Sequence, residues 1–62
     1  MRFEINILKF IESNTSNFPY ITISTENISK NLNIELIYVR FILNKLSKEG
    51  KIKSVNNEWI RI

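Results

Sequence analysis

The apolar residues in the first half of the chain are spaced for two helices with a short strand between them. In residues 3–12, Ile7 lies four positions after Phe3, three before Phe10 and four before Ile11, as on the apolar stripe of an amphipathic helix. The β-branched and aromatic residues 20–23 predict a short strand after a polar loop. A second, short helix is predicted over residues 26–32, with a hydroxyl N-cap at residues 24–25 and a left-handed Asn33 at its end.

A longer helix and a hairpin are predicted for the second half of the chain. Apolar spacing indicates a helix over about residues 35–48, which Gly50 ends. Short strands at 51–55 and 59–62 then pair around a turn, and a three-residue loop over 56–58 is preferred to a two-residue loop. That register places Ile52, Ile60 and Ile62 on one face, and Lys51, Lys53, Arg61 and Trp59 on the outer face.

The order of these elements is helix, strand, helix, tight turn, helix and hairpin. Two short helices joined by a turn of three to four residues form a helix-turn-helix, and the hairpin that follows is a wing. The sequence therefore predicts an α+β fold, a winged helix-turn-helix with three helices and a small antiparallel sheet. We expect a single domain over 1–62, with the helix-turn-helix at about 25–49 and the wing at about 51–62. The strand at 20–23 is expected to pair with the wing and make the sheet three-stranded.

The composition excludes several classes of protein and site. The 62 residues include no Cys and no His, so disulfides and thiolate or imidazole zinc sites are excluded. The chain has one Gly and no carboxylates spaced for acid–base catalysis, so we expect no enzyme activity, no cofactor and no metal. No apolar run is long enough to span a membrane, and the lack of Cys fits a cytoplasmic protein.

The positive charge of the chain is concentrated in its second half. The formal net charge is +3, but residues 1–35 have a net charge of −1. Residues 40–53 contain five basic residues and one acidic residue, a net charge of +4. Because these residues cover the third helix and the first wing strand, their concentration favours a surface that binds phosphate groups.

The third helix has an apolar face and a mixed face. At 100° per residue, one wide arc contains Leu36, Val39, Ile42, Leu43 and Leu46, which we expect to form the core. The opposite face contains Ile37, Arg40, Phe41, Asn44 and Lys48, flanked by Tyr38 and Lys45. Two interpretations are open: this face enters the major groove of DNA, or its apolar side chains bind another protein.

The segment from Thr25 to Ile52 resembles the general pattern of winged-helix regulators, which ends here in Lys48-Glu49-Gly50. Within that class, the sequence IYVRFILNKLSKEG is most similar to the FaeA/PapI-like pilus-operon regulators, small free-standing winged-helix proteins. Tyr38, Arg40, Phe41 and Trp59 carry this likeness. The resemblance implies regulation of transcription, and it also raises the possibility of action beside a second DNA-binding protein.

Together these observations predict a small regulator that binds double-stranded DNA through its third helix and its wing. The expected partners are double-stranded DNA and either a second copy of the chain or another DNA-binding protein. The alternative is a module that binds proteins through Ile37, Tyr38 and Phe41. The candidate DNA-binding residues are Lys30, Ile37, Tyr38, Arg40, Phe41, Asn44, Lys45, Lys48, Lys51 and Lys53.

Overall fold

The computed structural model describes residues 3–62, and within that range it contains three helices and four short strands. The helices are α1 (Glu4–Asn14), α2 (Thr25–Leu32) and α3 (Leu36–Lys48). The strands are β1 (Ser16–Asn17), β2 (Tyr20–Ile21), β3 (Ile52–Val55) and β4 (Glu58–Arg61), which form two antiparallel hairpins. The predicted α+β fold of three helices with a small antiparallel sheet is confirmed, in an arrangement compatible with a winged helix. The hairpin of β3 and β4 is called the wing below.

The core is a cluster of aliphatic side chains to which all three helices contribute. The predicted inward arc of α3 is confirmed, because four of its five members are fully buried and Leu36 is half-buried. These side chains meet Ile7 and Ile11 of α1 and Ile28 of α2. The main buried members of the cluster are Ile7, Ile11, Ile28, Val39, Ile42, Leu43, Leu46 and Ile52. This burial fixes the rotation of α3 and therefore selects the residues that it turns toward solvent.

Side-chain caps and a left-handed residue set the ends of α2. The Ser24 hydroxyl accepts a hydrogen bond from the Asn27 backbone N–H at 3.1 Å, so α2 begins at Thr25, one residue earlier than predicted. Asn33 is left-handed, with φ 54° and ψ 47°, as predicted. Ser29 and Ile34 then close the turn, since the Ile34 N–H donates to the Ser29 carbonyl and the Ser29 hydroxyl donates to the Ile34 carbonyl.

The end of α3 also follows the prediction. Gly50 has φ 75°, a left-handed conformation that costs glycine little. The Lys51 N–H donates to the Leu46 carbonyl at 3.0 Å, which satisfies one of the free carbonyls at the end of the helix. The chain therefore turns sharply after α3 and enters β3 at Ile52.

The hairpin of β1 and β2 was not predicted. Residues 13–17 were expected to form a loop, but α1 continues to Asn14, and Ser16–Asn17 pair with Tyr20–Ile21. Tyr20 and Ile21 pair with β1 and not with the wing, so the predicted three-stranded sheet is reduced to one bridge between Ile23 and Trp59. Farther along β4, the backbone of Arg61 bonds to side chains and not to a third strand. The Arg61 N–H donates to the Thr15 hydroxyl, and the Arg61 carbonyl accepts from the Asn17 side-chain amide.

The predicted register of the wing was wrong. Ile52 pairs with Arg61, and Val55 pairs with Glu58, so the loop has two residues and not three. Asn56 and Asn57 both have positive φ, 51° and 64°, as in a type I′ turn. Such a turn matches the right-handed twist of the strands, and asparagine tolerates its left-handed backbone. Turn geometry therefore decides this register.

The separation of apolar and charged faces that was predicted for the wing does not occur. In the observed register Ile52 and Ile60 lie on opposite faces, yet both are buried. Ile60 shares a face with Glu58, whose carboxylate accepts a hydrogen bond from the Thr22 hydroxyl at 2.6 Å. Because the segment before α2 reaches this second face, an apolar residue can be buried on each side of the hairpin.

Trp59 also lies differently from the prediction. It was expected to cover the small core from the outer face. It does pack against the core cluster, half-buried, but it lies on the same face of the wing as Ile52. Its backbone exchanges hydrogen bonds of 2.8 and 2.9 Å with Ile23, and its indole N–H donates to the Thr25 hydroxyl at 2.9 Å. Trp59 therefore joins the wing to the start of α2.

The buried side of α3 predicts a large loss of stability on truncation. Leu43→Ala should lower the free energy of unfolding by about 2–5 kcal/mol, because Leu43 is fully buried in the core cluster. Ile37→Ala on the same helix is the matched control, and it should change the stability by less than about 0.5 kcal/mol. Thermal and urea unfolding measure both values, and equal effects of the two substitutions would contradict the observed phase of α3.

The wing turn can be tested at Asn57. Asn57→Ala should lower the free energy of unfolding by about 1 kcal/mol, because alanine is strained at the positive φ that this position adopts. Asn57→Gly should match or exceed the wild-type stability. Urea unfolding of the three proteins gives the comparison. If alanine and glycine were equally well tolerated, the two-residue turn would be refuted.

Candidate nucleic-acid interface

The outward side of α3 combines apolar and polar side chains. Ile37, Tyr38 and Phe41 are 73%, 51% and 58% exposed, which is unusual for large apolar residues at helical spacing. Arg40 and Asn44 are also exposed. The structure therefore brings the predicted residues of this helix together on one surface. The outer surface of α3 is defined by Ile37, Tyr38, Arg40, Phe41, Asn44, Lys45 and Lys48.

A cleft lies between the outer surface of α3 and the wing. Its volume is about 440 Å³, and Arg40 and Asn44 form its α3 side. Ser54, Asn57 and Trp59 line it from the wing, and the first turn of α2 contributes Thr25 and Glu26. The hydrogen bond from Trp59 to Thr25 holds the wing and α2 at a fixed separation, so it positions two walls of the cleft.

A second depression lies on the other side of α3. It has a volume of about 490 Å³ and is lined by Phe41, Asn44, Lys45, Lys48 and Glu49. Asn44 borders both depressions. The amide of Asn44 therefore lies near the centre of the outer surface of α3, with Arg40 on the wing side and the two lysines on the other.

Two of the candidate lysines are held by carboxylates. The Lys45 ammonium lies 3.1 Å from one carboxylate oxygen of Glu4 and 3.2 Å from the other, and Lys51 lies 3.4 Å from Glu49. The hydrogen bond from Lys45 lowers the pKa of Glu4 below its ordinary value of 4.5, and the same bond raises the pKa of Lys45. Any anionic partner would have to compete with these carboxylates for the two lysines.

The other basic candidates lie apart from every carboxylate in the part of the chain that the structure describes. Within residues 3–62 no carboxylate lies within ion-pair distance of Lys30, Arg40, Lys48 or Lys53. All four are exposed and come from α2, α3 and β3. These cations are therefore free to contact an anionic partner without breaking an existing ion pair.

Several residues of the cleft were missed by the sequence-based reasoning. Ser54 and Asn57 join it because the two-residue turn sets their positions, whereas the prediction assumed a longer loop. Thr25 and Glu26 join it because the Trp59 side chain draws the wing against the start of α2. The paired asparagines at 56–57 were the available signal, since two adjacent residues that tolerate positive φ favour a type I′ turn.

Comparison of the chain with protein-family models, with curated proteins and with solved structures gave no match. Among the helices that the structure describes, none is long and apolar enough to cross a membrane.

The Lys45–Glu4 pair predicts a pH dependence. Because the pKa of Glu4 is lower in the fold than in the unfolded chain, the pair stabilises the fold at neutral pH, and this contribution is lost as the pH falls through the folded pKa. A carbon-detected NMR titration should give Glu4 a midpoint below 4.5, and Lys45→Met should move that midpoint upward. A Glu4 midpoint that is unchanged in Lys45→Met would contradict the pairing.

Proposed function

We propose that this protein binds double-stranded DNA in a sequence-dependent manner through the outer surface of α3 and the wing, and thereby regulates transcription. One observation carries the proposal most directly. Arg40 and Asn44 both line the cleft between α3 and the wing. Arginine binds the O6 and N7 atoms of guanine with two hydrogen bonds, and asparagine does the same with N6 and N7 of adenine. The cleft therefore combines two side chains suited to reading bases.

The rest of the outer surface of α3 suits a major groove. The groove of B-DNA is about 12 Å wide and accepts one α-helix. The exposed apolar side chains of Ile37 and Phe41 can contact the methyl groups of thymine, a contact that a purely polar helix lacks. Tyr38 lies at the edge of this surface, where its hydroxyl can reach the sugar-phosphate backbone.

The unpaired cations suit the flanking phosphates. Lys48 lies on α3, Lys53 lies on the wing and Lys30 lies on α2, so they can contact the backbone on several sides of the inserted helix. Lys45 and Lys51 contribute less, because each is already paired with a carboxylate. The net charge of +4 over residues 40–53 corresponds to a modest electrostatic attraction to DNA, which added salt weakens.

The position of Glu26 bears on whether Arg40 contacts a base or a phosphate. Both residues line the same cleft, and a carboxylate there repels phosphate groups. A base edge carries no such charge, and a carboxylate can accept a hydrogen bond from the amino group of cytosine. The cleft therefore favours base contact over phosphate contact for Arg40.

The resemblance to the FaeA/PapI-like regulators supports DNA binding. It also supports a role in regulating transcription and a location in the cytoplasm. Those proteins share the winged-helix order of elements and an aromatic-rich third helix. Tyr38 and Phe41 hold exposed positions that correspond to this likeness. The second candidate function is a protein-binding module, and it is favoured by the same exposure of Ile37, Tyr38 and Phe41.

Substitutions of Arg40 and Lys53 should affect DNA binding in different ways. Arg40→Ala should weaken binding to the preferred duplex by roughly 1–3 kcal/mol, and it should weaken binding to random duplexes much less. Lys53→Ala should weaken binding to all duplexes alike and lower the magnitude of the log–log salt slope by about 1. Fluorescence anisotropy at several salt concentrations, with a duplex selected from a random pool, measures both effects.

Two outcomes would count against these roles. If Arg40→Ala weakened binding to both duplexes by the same factor, Arg40 would not contact a base, and the base-reading role would pass to Asn44. If the wild-type protein bound no duplex at low salt but formed a stable complex with a protein that Phe41→Ala disrupts, the protein-binding module would replace the DNA-binding function.

A further inference from the structure

The β1–β2 hairpin presents apolar side chains that the fold leaves uncovered. Phe18 at its tip is 98% exposed, and Tyr20 and Ile21 are also exposed. These three residues are called the hairpin patch below. A free Phe side chain at a turn does nothing for the stability of the monomer, so its exposure is a cost in solubility unless a partner covers it.

The charge of the chain favours a second copy as that partner. Residues 13–25 contain no charged side chain, whereas residues 40–53 have a net charge of +4. Two copies that met through α3 would bring like charges together, and two copies that met through the hairpin patch would not. The hairpin patch shares no residue with the outer surface of α3, so a contact through the hairpin uses different residues from those proposed to bind DNA.

The rim of the hairpin patch is self-complementary. The Arg61 guanidinium donates to the Glu12 carbonyl at 3.0 Å, so a basic and an acidic residue lie side by side next to the hairpin. The Asn17 amide, in the hairpin, contacts the Arg61 carbonyl at 3.2 Å. A two-fold interface places each surface against its own copy, so Glu12 of one copy can face Arg61 of the other in both directions.

We propose that the hairpin patch is the interface of a two-fold symmetric homodimer, with Phe18 at its centre and Glu12 and Arg61 at its rim. A fully covered aromatic side chain buries roughly 150–250 Å². Phe18 provides such an area, Tyr20 and Ile21 provide about half their surface each, and the rim residues bring the interface to on the order of 1,000 Å² over both copies. That area lies at the lower limit for specific association. The dimer is therefore weak in the absence of DNA.

This arrangement has a consequence for DNA that rests on the proposed function. The principal extents of the monomer are 29, 23 and 19 Å. A two-fold dimer of chains of this size presents two copies of α3, and two-fold DNA-binding dimers contact half-sites about 34 Å apart. The preferred duplex is then a palindrome with two half-sites, and binding to it is cooperative.

Sedimentation equilibrium without DNA tests the dimer independently of DNA binding. The wild-type chain should show a monomer–dimer equilibrium between roughly 10 µM and 1 mM. Phe18→Ser should raise the dimer Kd at least about tenfold, as expected for a central aromatic residue. Ile37→Ser is the matched control, because it removes an exposed apolar side chain from α3, and it should leave the Kd within about twofold.

A charge exchange tests the two-fold arrangement. Glu12→Arg and Arg61→Glu should each weaken the dimer, because each places like charges opposite one another. An equimolar mixture of the two variants should recover association, since every rim contact in the mixed dimer is again between opposite charges. Circular dichroism checks that each variant keeps the wild-type fold.

Three results would overturn the proposal. The first is a wild-type chain that stays monomeric throughout the concentration range. This result would overturn the proposal even if the monomer bound lipid vesicles or another protein through Phe18. The second is a dimer that Ile37→Ser disrupts and Phe18→Ser does not. The third is a mixture of the charge variants that associates no better than either variant alone.

Discussion

Burial of one aliphatic stripe of α3 is the constraint on which the rest of the structure depends. The chain has no disulfide and no histidine or cysteine metal site, so its stability comes from a small core. Val39, Ile42, Leu43 and Leu46 are fully buried in that core. Since an α-helix presents its remaining side chains at fixed angles, the same burial turns Arg40 and Asn44 outward.

Much of the fold could be predicted from local rules. Helical periodicity and caps gave the three helices to within two residues, because the caps at Ser24, Asn33 and Gly50 act over short distances. The wing register could not be predicted by separating apolar from charged faces. That argument assumes one buried face, and this hairpin buries Ile52 on one side and Ile60 on the other. The contacts that make both faces interior come from distant parts of the chain.

The candidate site divides in the same way. The exposed residues of α3 were predicted, because a single helix fixes their relative positions. The ion pair between Lys45 and Glu4 was not, since it joins α3 to α1 across 41 positions of the sequence. The cleft also depends on tertiary contacts, because Trp59 brings Ser54 and Asn57 opposite Arg40. Sequence patterns therefore identified the outer surface of α3, whereas the other residues that line the cleft depend on the tertiary structure.

The central claim is that the outer surface of α3 and the wing contact duplex DNA. Amide chemical-shift mapping by NMR tests it most directly, with a random-sequence duplex added at low salt. The account predicts that the largest shifts fall in residues 37–48 and 53–57, and that they fade as salt is added. It predicts little change in residues 5–12 of α1. No shifts at low salt, or shifts centred on α1, would contradict the account.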